Sequence, residues 1–366
     1  MKTKKSVIIA FLGNIKYDAR CLNMAETLSK SGFKVTILNE KSDGIVKSDI
    51  FNIHYIDTKS NNGIRRYWNF HCKVQALSKS INPDIFIAGD LFSLAVCVNQ
   101  NQKCIKIYDS RELYSKLAGL IKKPFKQLFW SMYERIFYKK INKVIVTAKS
   151  DKSYLIDRYG EKEIEIIYNF PNNQIKATYI NIRKRFNISP NYKIFIYQGA
   201  IQKGRGIDEM INLLKDFKEC VAVIIGDGEY KTQLEKLADK IKVHNRTFFI
   251  GNIPYEELLS ITNQADIGFS LIQPISQSYI QALPNKLFEY GLAGIPTISS
   301  DFPELKKYTE NYNLGLAVNP TNYESHLNAI SKLLSWENKD EIKKTVEQNF
   351  TWDSQASIFL KVMKFN

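Results

Sequence analysis

Short apolar runs rich in β-branched residues alternate with helical stretches along the whole 366-residue chain. Such alternation is typical of parallel sheets whose strands are joined by crossover helices. The runs that we predict as strands are residues 7–12, 34–38, 52–56, 85–88, 103–108 and 143–147 in the first half, and 193–197, 221–225, 247–250, 266–270, 296–299 and 315–318 in the second. The expected fold class is α/β, with two successive Rossmann-like, doubly wound domains.

The length of the chain also favours two domains, because a single hydrophobic core rarely grows beyond about 250–300 residues. Segment 169–192 has two prolines, many asparagines and no regular hydrophobic period, so we place the boundary within it. The expected N-terminal domain covers residues 1–175 and the C-terminal domain residues 176–350. A final helix over 351–366 has no strand after it and could cross back to the first domain.

The positive charge of the chain is concentrated in its first half. Residues 1–175 contain 29 Lys and Arg against 16 Asp and Glu, which is +13 of the total formal charge of +15. We therefore expect this half to meet something anionic. Nucleic acid is disfavoured as that partner, because the cations are spread over a nucleotide-fold domain and no nucleic-acid-binding module is recognisable.

The sequence contains no recognisable targeting or spanning segment. The apolar run after the basic N-terminus is too short for a signal peptide and lacks a cleavage pattern, so we expect a first strand there. No run approaches the roughly 18–20 apolar residues of a spanning helix. The five cysteines form no CxxC pair and the histidines are few, so we expect reduced thiols and no metal site. The expected location is cytoplasmic, with at most peripheral membrane contact.

The most informative segment is ALPNKLFEYGLAG, residues 282–294. Pro284 suits a first helical turn and the later glycine and proline suit a helix end, so a helix is predicted over about 284–293. The free N–H groups of its first turn and the charge of Lys286 would bind phosphate. Glu289, one turn further, could accept hydrogen bonds from two vicinal sugar hydroxyls. A capped helix with solvated Lys and Glu side chains is the alternative.

Two other loops of the second domain carry glycines at predicted strand ends. The loop YQGAIQKGRG contains Gly199 and Arg205; its glycines allow close backbone approach to phosphate, and its guanidinium can bind two phosphate oxygens. The loop GDGE contributes Gly226, Asp227 and Gly228. Ordinary tight turns are the alternative for both loops.

The first domain presents two corresponding loops. In LGNIKYDAR, Gly13 and Asn14 could approach a diphosphate or the transferred sugar, whereas Asp18 could simply cap the following helix. The second loop, YDSREL, contains Arg111. Because ligands of open α/β sheets bind at the carboxyl ends of the strands, both loops are expected to face the ligand.

These segments, taken in order, resemble the GT4-type family of glycosyltransferases, which have the GT-B fold of two Rossmann-like domains facing a cleft. The resemblance covers nearly the full length of the chain. It is carried by the segments YDAR, PDIFIAGD, YDSREL, VIVTAKSDKSYL, YNFPN, YQGAIQKGRG, IIGDGE, FIGNIPYEEL, ADIGFSLI and ALPNKLFEYGLAGIP. Each segment is weak alone, and their common order makes the resemblance specific.

The resemblance implies roles for individual residues. Arg205 matches the basic residue that binds the donor diphosphate, and Glu289 matches the second glutamate of the family's E-x7-E pattern, which binds the ribose. The segment 250–253, which includes Asn252 and Ile253, would face the base. The residues around the helix start that would contact the donor are Leu283, Pro284, Asn285, Lys286 and Leu287. The family's donor site needs no metal, no Asp-x-Asp occurs in this sequence, and no cofactor is expected beyond the nucleotide-sugar co-substrate.

The chain departs from the family pattern at two positions. Gln281 stands eight residues before Glu289, where many members have the first glutamate; it can bind a hydroxyl but carries no charge. Arg111 stands where many relatives have histidine, and because it cannot act as a general base we expect it to pair with phosphate or with Glu112. The candidate catalytic residues are Arg205, Lys286, Gln281 and Arg111.

The resemblance implies retaining transfer of a hexose-type sugar from a UDP or GDP sugar to a glycan or lipid-linked acceptor, in the assembly of cell-surface polysaccharide or glycolipid. We expect Arg205, Lys286 and the helix dipole to stabilise the leaving nucleoside diphosphate while domain closure positions the acceptor. Two alternatives stay open: a sugar-nucleotide 2-epimerase-like isomerase, and a catalytically inactive nucleotide-sugar-binding partner subunit. Histidines for the isomerase would have to come from His54, His71, His244 and His326.

A helix predicted over 124–140 carries apolar residues at i, i+3, i+4 spacing. This stripe consists of Phe125, Leu128, Phe129, Met132, Tyr133, Ile136 and Phe137, with Trp130 and Tyr138 off it. The flanking cations are Lys122, Lys123, Lys126, Arg135, Lys139 and Lys140. Packing of the stripe on the sheet is the simpler interpretation. The alternative is that the charged rim and the two other aromatics contact anionic lipid, close to a lipid-linked acceptor.

Overall fold

The structure is a computed structural model that describes residues 4–41, 45–58, 63–113, 124–172 and 180–364. The chain divides into two compact units: unit 1 is Met1–Asn169 with Trp352–Asn366, and unit 2 is Phe170–Thr351. Among the residues discussed above, Lys122 and Lys123 lie outside the described residues, as does part of the predicted boundary segment.

Unit 1 is built around a parallel sheet. Its described strands are β1 (Ser6–Phe11), β2 (Lys34–Glu40), β3 (Asn52–Ile56), β4 (Ile85–Ala88), β5 (Ile105–Ser110), β6 (Lys143–Val146) and β7 (Glu163–Ile166). Its described helices are α1 (Ala19–Lys30), α2 (Gly63–Ile81), α3 (Leu94–Val98), α4 (Pro124–Tyr138), α5 (Lys149–Tyr159) and α15 (Trp352–Val362), with a 3-10 turn at Ile15–Tyr17. The strands lie in the order β3-β2-β1-β4-β5-β6-β7.

Unit 2 has a second parallel sheet. Its described strands are β8 (Lys193–Gln198), β9 (Cys220–Ile225), β10 (Thr247–Gly251), β11 (Ile267–Ser270), β12 (Thr297–Ser300) and β13 (Gly315–Val318). Its described helices are α6 (Ile182–Arg185), α7 (Ile207–Leu213), α8 (Lys231–Lys240), α9 (Tyr255–Thr262), α10 (Gln277–Ile280), α11 (Lys286–Leu292), α12 (Pro303–Asn311), α13 (Tyr323–Leu334) and α14 (Lys339–Asn349), with a 3-10 turn at His244–Arg246. The strands lie in the order β10-β9-β8-β11-β12-β13.

Strand β1 illustrates why these strands are continuous apolar runs. Val7 and Ile9 belong to a core cluster that includes side chains of α1 and α15. Ile8 and Ala10, which point to the opposite face, belong to a second cluster with side chains of α2 and α3. A strand covered by helices on both faces must be apolar at every position rather than at alternate ones.

The order of the strands determines where a ligand can bind in each unit. In unit 1 the chain reverses its direction across the sheet at β1 and β4, and in unit 2 it does so at β8 and β11. The loops that leave the carboxyl ends of such neighbouring strands run in opposite directions and open a crevice, which is where open α/β sheets bind ligands. The loops after β1 and β4, and after β8 and β11, are therefore where a ligand would bind in each unit.

The predicted α/β fold class is confirmed, and each predicted strand is present with its ends shifted by at most two residues. Strand β7 was not predicted. Its charged residues Glu163 and Glu165 alternate with Ile164 and Ile166, and only the isoleucines join the core. This pattern fits its place at the edge of the sheet.

The interpretation that α4 packs its apolar stripe on the sheet is wrong. Five stripe residues are exposed: Phe125, Leu128, Phe129, Met132 and Ile136. The helix instead turns Tyr138 and Trp130 toward the core of unit 1, the former fully and the latter partly buried, so these two are not available to lipid as the alternative had them. Among the described helices, none is long and apolar enough to cross a membrane.

Helix α15 packs within unit 1, against α1. The indole Nε1 of Trp352 donates a hydrogen bond to Thr27 Oγ1 at 2.8 Å, and Trp352 itself is buried. The side chain of Gln355 accepts a hydrogen bond from the backbone N–H of Tyr168 at 3.0 Å. Unit 1 is thus formed from two separate stretches of sequence, and unit 2 from one.

Candidate functional site

Lys286 is the first residue of α11, and its ammonium group is buried at the carboxyl edge of the second sheet. The Nζ atom lies 3.6 Å from the centre of the Tyr197 ring, at the end of β8. It is also 3.6 Å from the point that a Cβ would occupy on Gly199, so the absence of a side chain there leaves room for it. Burial, together with the positive charge of Arg205, lowers the pKa of Lys286 well below its usual range.

Arg205 provides a second cation close to Lys286. Its guanidinium stacks on the ring of Tyr279, 4.4 Å from the ring centre, which positions it without neutralising it. The Nε atom is buried and has no hydrogen-bond partner among the described residues. Two neighbouring cations that rest on aromatic rings form a site suited to a doubly charged anion such as a diphosphate.

Glu289 lies one turn along α11, in contact with the end of β8. The side-chain amide of Gln198 donates a hydrogen bond to its carboxylate, and the hydroxyl of Thr262 donates to the amide oxygen of Gln198 at 2.9 Å. Burial raises the pKa of Glu289, and the Gln198 hydrogen bond and the charge of Lys286 oppose that rise only in part. Glu289 also lines a small cavity with Tyr255 and Thr262, where a hydroxyl could reach it.

The predicted glycines of unit 2 allow backbone segments to approach each other. Gly199 and Gly226 both have positive φ, +126° and +128°, and a Cβ on Gly226 would overlap the carbonyl oxygen of Gly199. A Cβ on Gly228 would likewise overlap the carbonyl oxygen of Ile201. The glycines therefore hold the loops after β8 and β9 together, and Asp227 lies exposed between them.

The loop after β10 ends at the same edge of the sheet, beside the loop after β9. The N–H of Gly226 donates to the carbonyl of Gly251 at 2.9 Å. Asn252 follows and is exposed, whereas Ile253 is partly buried and packs against the core of unit 2. The placement of Asn252 at this edge is compatible with the predicted contact to a base.

Helix α11 begins at Lys286, two residues later than predicted. Leu283, Pro284 and Asn285 therefore form the turn that precedes it, and all three are partly exposed. The side chain of Leu287 is fully buried, and its N–H donates to the carbonyl of Pro284 at 3.2 Å, so neither group is free to bind a donor. Gln281 follows α10 as its C-cap and is partly exposed.

In unit 1, Arg111 belongs to a chain of ion pairs at the carboxyl end of β5. It donates to Asp18 and, at 2.8 Å, to Asp109, while the fully buried Arg20 pairs with Asp109 at 2.7 Å. Burial lowers the pKa of Arg111, but Asp18 and Asp109 outweigh this effect and raise that pKa above its usual range. Arg111 is therefore permanently charged, and the sequence had not identified these two partners.

The remaining nitrogen of Arg111, Nη2, points toward the loop after β4. It is buried without a hydrogen-bond partner in the described part of the chain, and it lies 3.1 Å from the position of a Cβ on Gly89. Arg111 thus has an unused hydrogen-bond donor at the edge of the sheet where strands β1, β4 and β5 end.

The loop after β1 is held by side chains that are close to it in sequence or in the sheet. Asp18 caps α1 as predicted, accepting from Cys21 N at 2.8 Å, and Asn14 caps the 3-10 turn, accepting from Lys16 N at 2.9 Å. The buried carboxylate of Asp90 accepts from the backbone N–H of Leu12. Gly13 lies against the ring of Phe11. Asn14 therefore has a structural role in addition to any contact with a ligand.

Sequence reasoning missed the residues that support the site. In unit 2 these are Tyr197, Gln198, Thr262 and Tyr279, and in unit 1 Arg20, Asp109 and Asp90. The only signal for them was position: Tyr197 ends a predicted strand, and Gln198, Asp109 and Asp90 each follow the end of a predicted strand by one or two residues. The predicted residues that the structure brings together are Arg205, Lys286, Glu289 and Gly199.

Two family models match the chain. The model described as "Glycosyl transferases group 1" matches residues 179–349, and the model described as "Glycosyltransferase Family 4" matches residues 19–172. The matches lie in unit 2 and unit 1 respectively, apart from a few residues at their ends. Together they cover most of both units and leave β1 and α15 of unit 1 unmatched.

Known proteins are similar in sequence and in fold. The chitobiosyldiphosphodolichol beta-mannosyltransferase of Kluyveromyces lactis is 25% identical over 366 aligned positions, which cover 86% of this chain and 79% of that protein. Alignments to two other curated glycosyltransferases span only 59% and 46% of those proteins.

Among solved structures, sucrose-phosphate synthase from Thermosynechococcus elongatus is 15% identical with a TM-score of 0.80, and 98% of each chain is covered. Anabaena HepE in complex with UDP and glucose is 13% identical with a TM-score of 0.74, covering 98% of this chain and 99% of that one. At identities this low, the similarity shows a shared fold and nothing more. That fold is a pair of parallel sheets with flanking helices. Matched by family models over both units and sharing this architecture, the chain belongs to the GT4-type glycosyltransferases of the GT-B fold.

Proposed function

We propose that the protein transfers a hexose from a UDP or GDP sugar to a glycan or lipid-linked acceptor, with retention of the anomeric configuration. The observation that carries this proposal is the pair of cations at the end of β8. Arg205 and Lys286 are adjacent, rest on aromatic rings and lie beside the partly buried carboxylate of Glu289. The two cations suit the charges of a diphosphate, and the neighbouring carboxylate can accept hydrogen bonds from the hydroxyls of the attached ribose.

The burial of Lys286 makes the site favour an anion, and most of all the departing nucleoside diphosphate. Burial and, after it, repulsion from Arg205 lower the pKa of Lys286. A diphosphate would relieve both costs, and most of all in the departing nucleoside diphosphate, where negative charge builds up on the leaving oxygen. We propose that the two cations lower the barrier to breaking the bond between the sugar C1 and the diphosphate oxygen, while a bond forms from C1 to the acceptor oxygen.

We further propose that the reaction needs no divalent metal. Support comes from the chemistry of the side chains at the candidate phosphate site, where the charges that would neutralise a diphosphate are a guanidinium and an ammonium. Activity that persists in EDTA would agree with this proposal. Loss of activity in EDTA that Mg²⁺ or Mn²⁺ restores would contradict it.

The donor and acceptor classes draw on the relatives. HepE has been crystallised with UDP and glucose, and the Kluyveromyces lactis relative is a mannosyltransferase acting on a dolichol-linked sugar. These names support a hexose as the transferred group, UDP as one carrier of it and a lipid-linked acceptor. We propose GDP as the alternative carrier, and cell-surface polysaccharide or glycolipid assembly as the setting. We propose a cytoplasmic protein that works at the membrane surface through α4.

The first experiment measures the affinity of the protein for UDP, GDP, ADP and CDP by calorimetry, then the slow release of nucleoside diphosphate from the matching sugar nucleotides without acceptor. Arg205→Ala and Lys286→Met should weaken nucleotide binding about 10- to 100-fold, because each removes a charge-assisted contact. The control is Lys203→Ala, an exposed cation of the same loop, which should leave binding unchanged.

Three outcomes would contradict the proposal. Equal affinity of the wild type and both variants for the preferred nucleotide would remove these cations from the site. Formation of an epimer would favour an isomerase, and tight binding without any turnover would favour an inactive partner subunit. Retention would be tested by the anomeric configuration of the first product, read by NMR before it equilibrates.

A further inference from the structure

Helix α4 is turned so that its apolar side chains face outward. Phe125 is 88% exposed, and Leu128, Phe129, Met132 and Ile136 are each more than half exposed. Residues spaced in this way form one continuous stripe along a helix. A stripe of this size is unusual on a surface that faces only water.

The orientation of α4 is fixed by polar groups on its inner face. The carboxylate of Glu134 is buried and accepts hydrogen bonds from the hydroxyls of Tyr108 and Tyr159, both at 2.9 Å. Tyr138 is buried on the same side of the helix. Rotating α4 to hide its apolar stripe would expose these partners and break both hydrogen bonds. The outward direction of the stripe is therefore built into the packing of unit 1.

Helix α2 lies beside α4 and also has exposed apolar side chains. Ile64 is 84% exposed and Trp68 is 66% exposed, and they lie one turn apart on this helix. The two helices are neighbours, because Tyr67 of α2 contacts Trp130 of α4 with ring centres 5.6 Å apart. We call the exposed apolar residues of these two helices the α2–α4 surface.

The exposed charged side chains that belong to α2 and α4 themselves are all positive. Helix α2 contains no Asp or Glu, and the only acidic residue of α4 is the buried Glu134. The cations on and beside the two helices are Arg65, Arg66, Lys73, Lys79, Lys126, Arg135, Lys139 and Lys140, of which Arg66 pairs with Glu40. A tryptophan, phenylalanines and aliphatic side chains with a cationic border have the composition of helices that lie in the interface of an anionic bilayer.

We propose that the α2–α4 surface docks on an anionic lipid bilayer, with Phe125, Phe129 and Trp68 inserted at the boundary between headgroups and acyl chains. The charge pattern favours lipid over a second copy of the chain. In a two-fold dimer the same surface meets itself, which would bring the cationic borders together without acidic partners. The proposal does not depend on the nucleotide site, since none of the residues of this surface takes part in it.

The test is co-sedimentation of the full chain with vesicles of phosphatidylcholine alone, and of phosphatidylcholine mixed with phosphatidylglycerol. We expect binding to the mixed vesicles at low salt and much weaker binding to the neutral ones. Lys139→Gln with Lys140→Gln should weaken binding about fivefold for each cation removed. Phe125→Ser with Phe129→Ser should weaken it at least tenfold on both kinds of vesicle.

Matched controls separate this surface from general effects of charge and hydrophobicity. Lys236→Gln with Lys240→Gln removes two exposed lysines from α8, and Ile45→Ser removes an exposed apolar side chain that lies outside both helices. Neither should change vesicle binding. All variants are checked for unchanged nucleotide affinity, so that failure to dock and failure of the proposed transferase activity can be told apart.

Several results would overturn the proposal. One is no sedimentation with anionic vesicles at low salt, and another is undiminished binding by both the cation and the phenylalanine variants. A concentration-dependent dimer in analytical ultracentrifugation, lost in Phe125→Ser with Phe129→Ser and present without lipid, would assign the surface to a second copy. Fluorescence of Trp68 offers a further check, since quenching by bromine-labelled acyl chains should disappear in Trp68→Tyr.

Discussion

The side-chain amide of Gln198 donates a hydrogen bond to the partly buried carboxylate of Glu289. The orientation of that amide is set in turn by Thr262, whose hydroxyl donates to the amide oxygen. An amide held at its oxygen must present its N–H₂ group to the carboxylate. The last residue of β8 thus keeps the carboxylate oriented, and the consequences of this link can be measured.

Gln198→Met should weaken binding of the preferred nucleoside diphosphate by about tenfold or more. The change removes the hydrogen bond that favours ionised Glu289, a type of bond that contributes about 1.5–3 kcal/mol, so the pKa of Glu289 should rise further. Calorimetry measures the nucleotide affinity. Affinity for inorganic pyrophosphate, which has no ribose, should be unchanged.

Thr262→Val serves as the milder companion, with an expected cost in nucleotide affinity of about 1 kcal/mol. Equal losses of affinity for nucleotide and pyrophosphate in Gln198→Met would contradict this prediction. They would mean that the hydrogen bond between Gln198 and Glu289 supports the structure of the whole site and has no specific effect on ribose binding.

Nucleoside diphosphate binding should be coupled to proton uptake by Lys286. Burial and the charge of Arg205 lower the pKa of this lysine in the free protein, and a bound diphosphate would raise it again. At a pH above the lowered pKa, binding takes up a proton and affinity falls as pH rises; below it, Lys286 is already charged and no uptake occurs. Calorimetry in buffers of different ionisation enthalpy measures the protons taken up.

Lys286→Met should abolish this uptake, and Glu289→Gln should preserve it. The second variant matters because burial also raises the pKa of Glu289, which makes it the other group able to exchange a proton on binding. Uptake that survived Lys286→Met but vanished in Glu289→Gln would assign the proton to the carboxylate.

Arg20→Met should destabilise the protein by about 3–5 kcal/mol, since it leaves a buried carboxylate with one fewer partner. Burial would raise the pKa of Asp109, but Arg20 and Arg111 overcome this and hold that pKa below its usual range. The resulting stability is present above the unfolded pKa of about 4 and is lost as pH falls through the folded pKa. Urea unfolding between neutral and acid pH should show the gap between wild type and variant shrinking as the pH falls.

Lys30→Met is a suitable control for this prediction, because Lys30 forms an exposed ion pair with Glu26 on the same helix. Exposed pairs of this kind contribute at most about 1 kcal/mol. A gap between wild type and Arg20→Met that stayed constant down to the most acidic pH tested would mean that Asp109 is not the group whose titration matters.

Gly226→Ala should be far more destabilising than Gly160→Ala. Both glycines have positive φ, at +128° and +92°, so alanine costs about 1–3 kcal/mol of backbone strain at either position. Only at Gly226 would the new Cβ also overlap the carbonyl oxygen of Gly199, whereas nothing lies within 4 Å at Gly160. Urea unfolding measures the difference, and equal losses for the two variants would show that the contact between the two loops adjusts freely.

Much of this architecture can be predicted from the sequence, because it depends on local patterns. Apolar runs such as Val7 to Phe11 indicate strands covered on both faces, and the loops that carry Arg205 and Gly226 follow such runs directly. Strand β7 escapes prediction because a run in which Glu163 and Glu165 alternate with isoleucine has too little apolar character.

The supporting contacts could not be predicted, because they join residues that are far apart in sequence. Arg20 and Asp109 are 89 positions apart, and Gln198 and Glu289 are 91 apart; only the order of the strands brings them together. The direction in which the apolar face of α4 points could not be predicted for a different reason. Its periodicity defines an apolar face, but the tertiary position of Tyr108, which bonds Glu134, determines that this face points outward.

The return of α15 to unit 1 has a consequence for how genes of this type can recombine. Unit 2 is one uninterrupted stretch, residues 170–351, so a single exchanged fragment can replace the half that carries Arg205, Lys286 and Glu289. Unit 1 survives such an exchange only if the new fragment restores both junctions, which the bond between Tyr168 and Gln355 brings close together. Chimeras made by swapping everything after residue 169 would instead give unit 1 a foreign final helix. The incoming sequence would then have to supply a residue that donates a hydrogen bond to Thr27, as Trp352 does here.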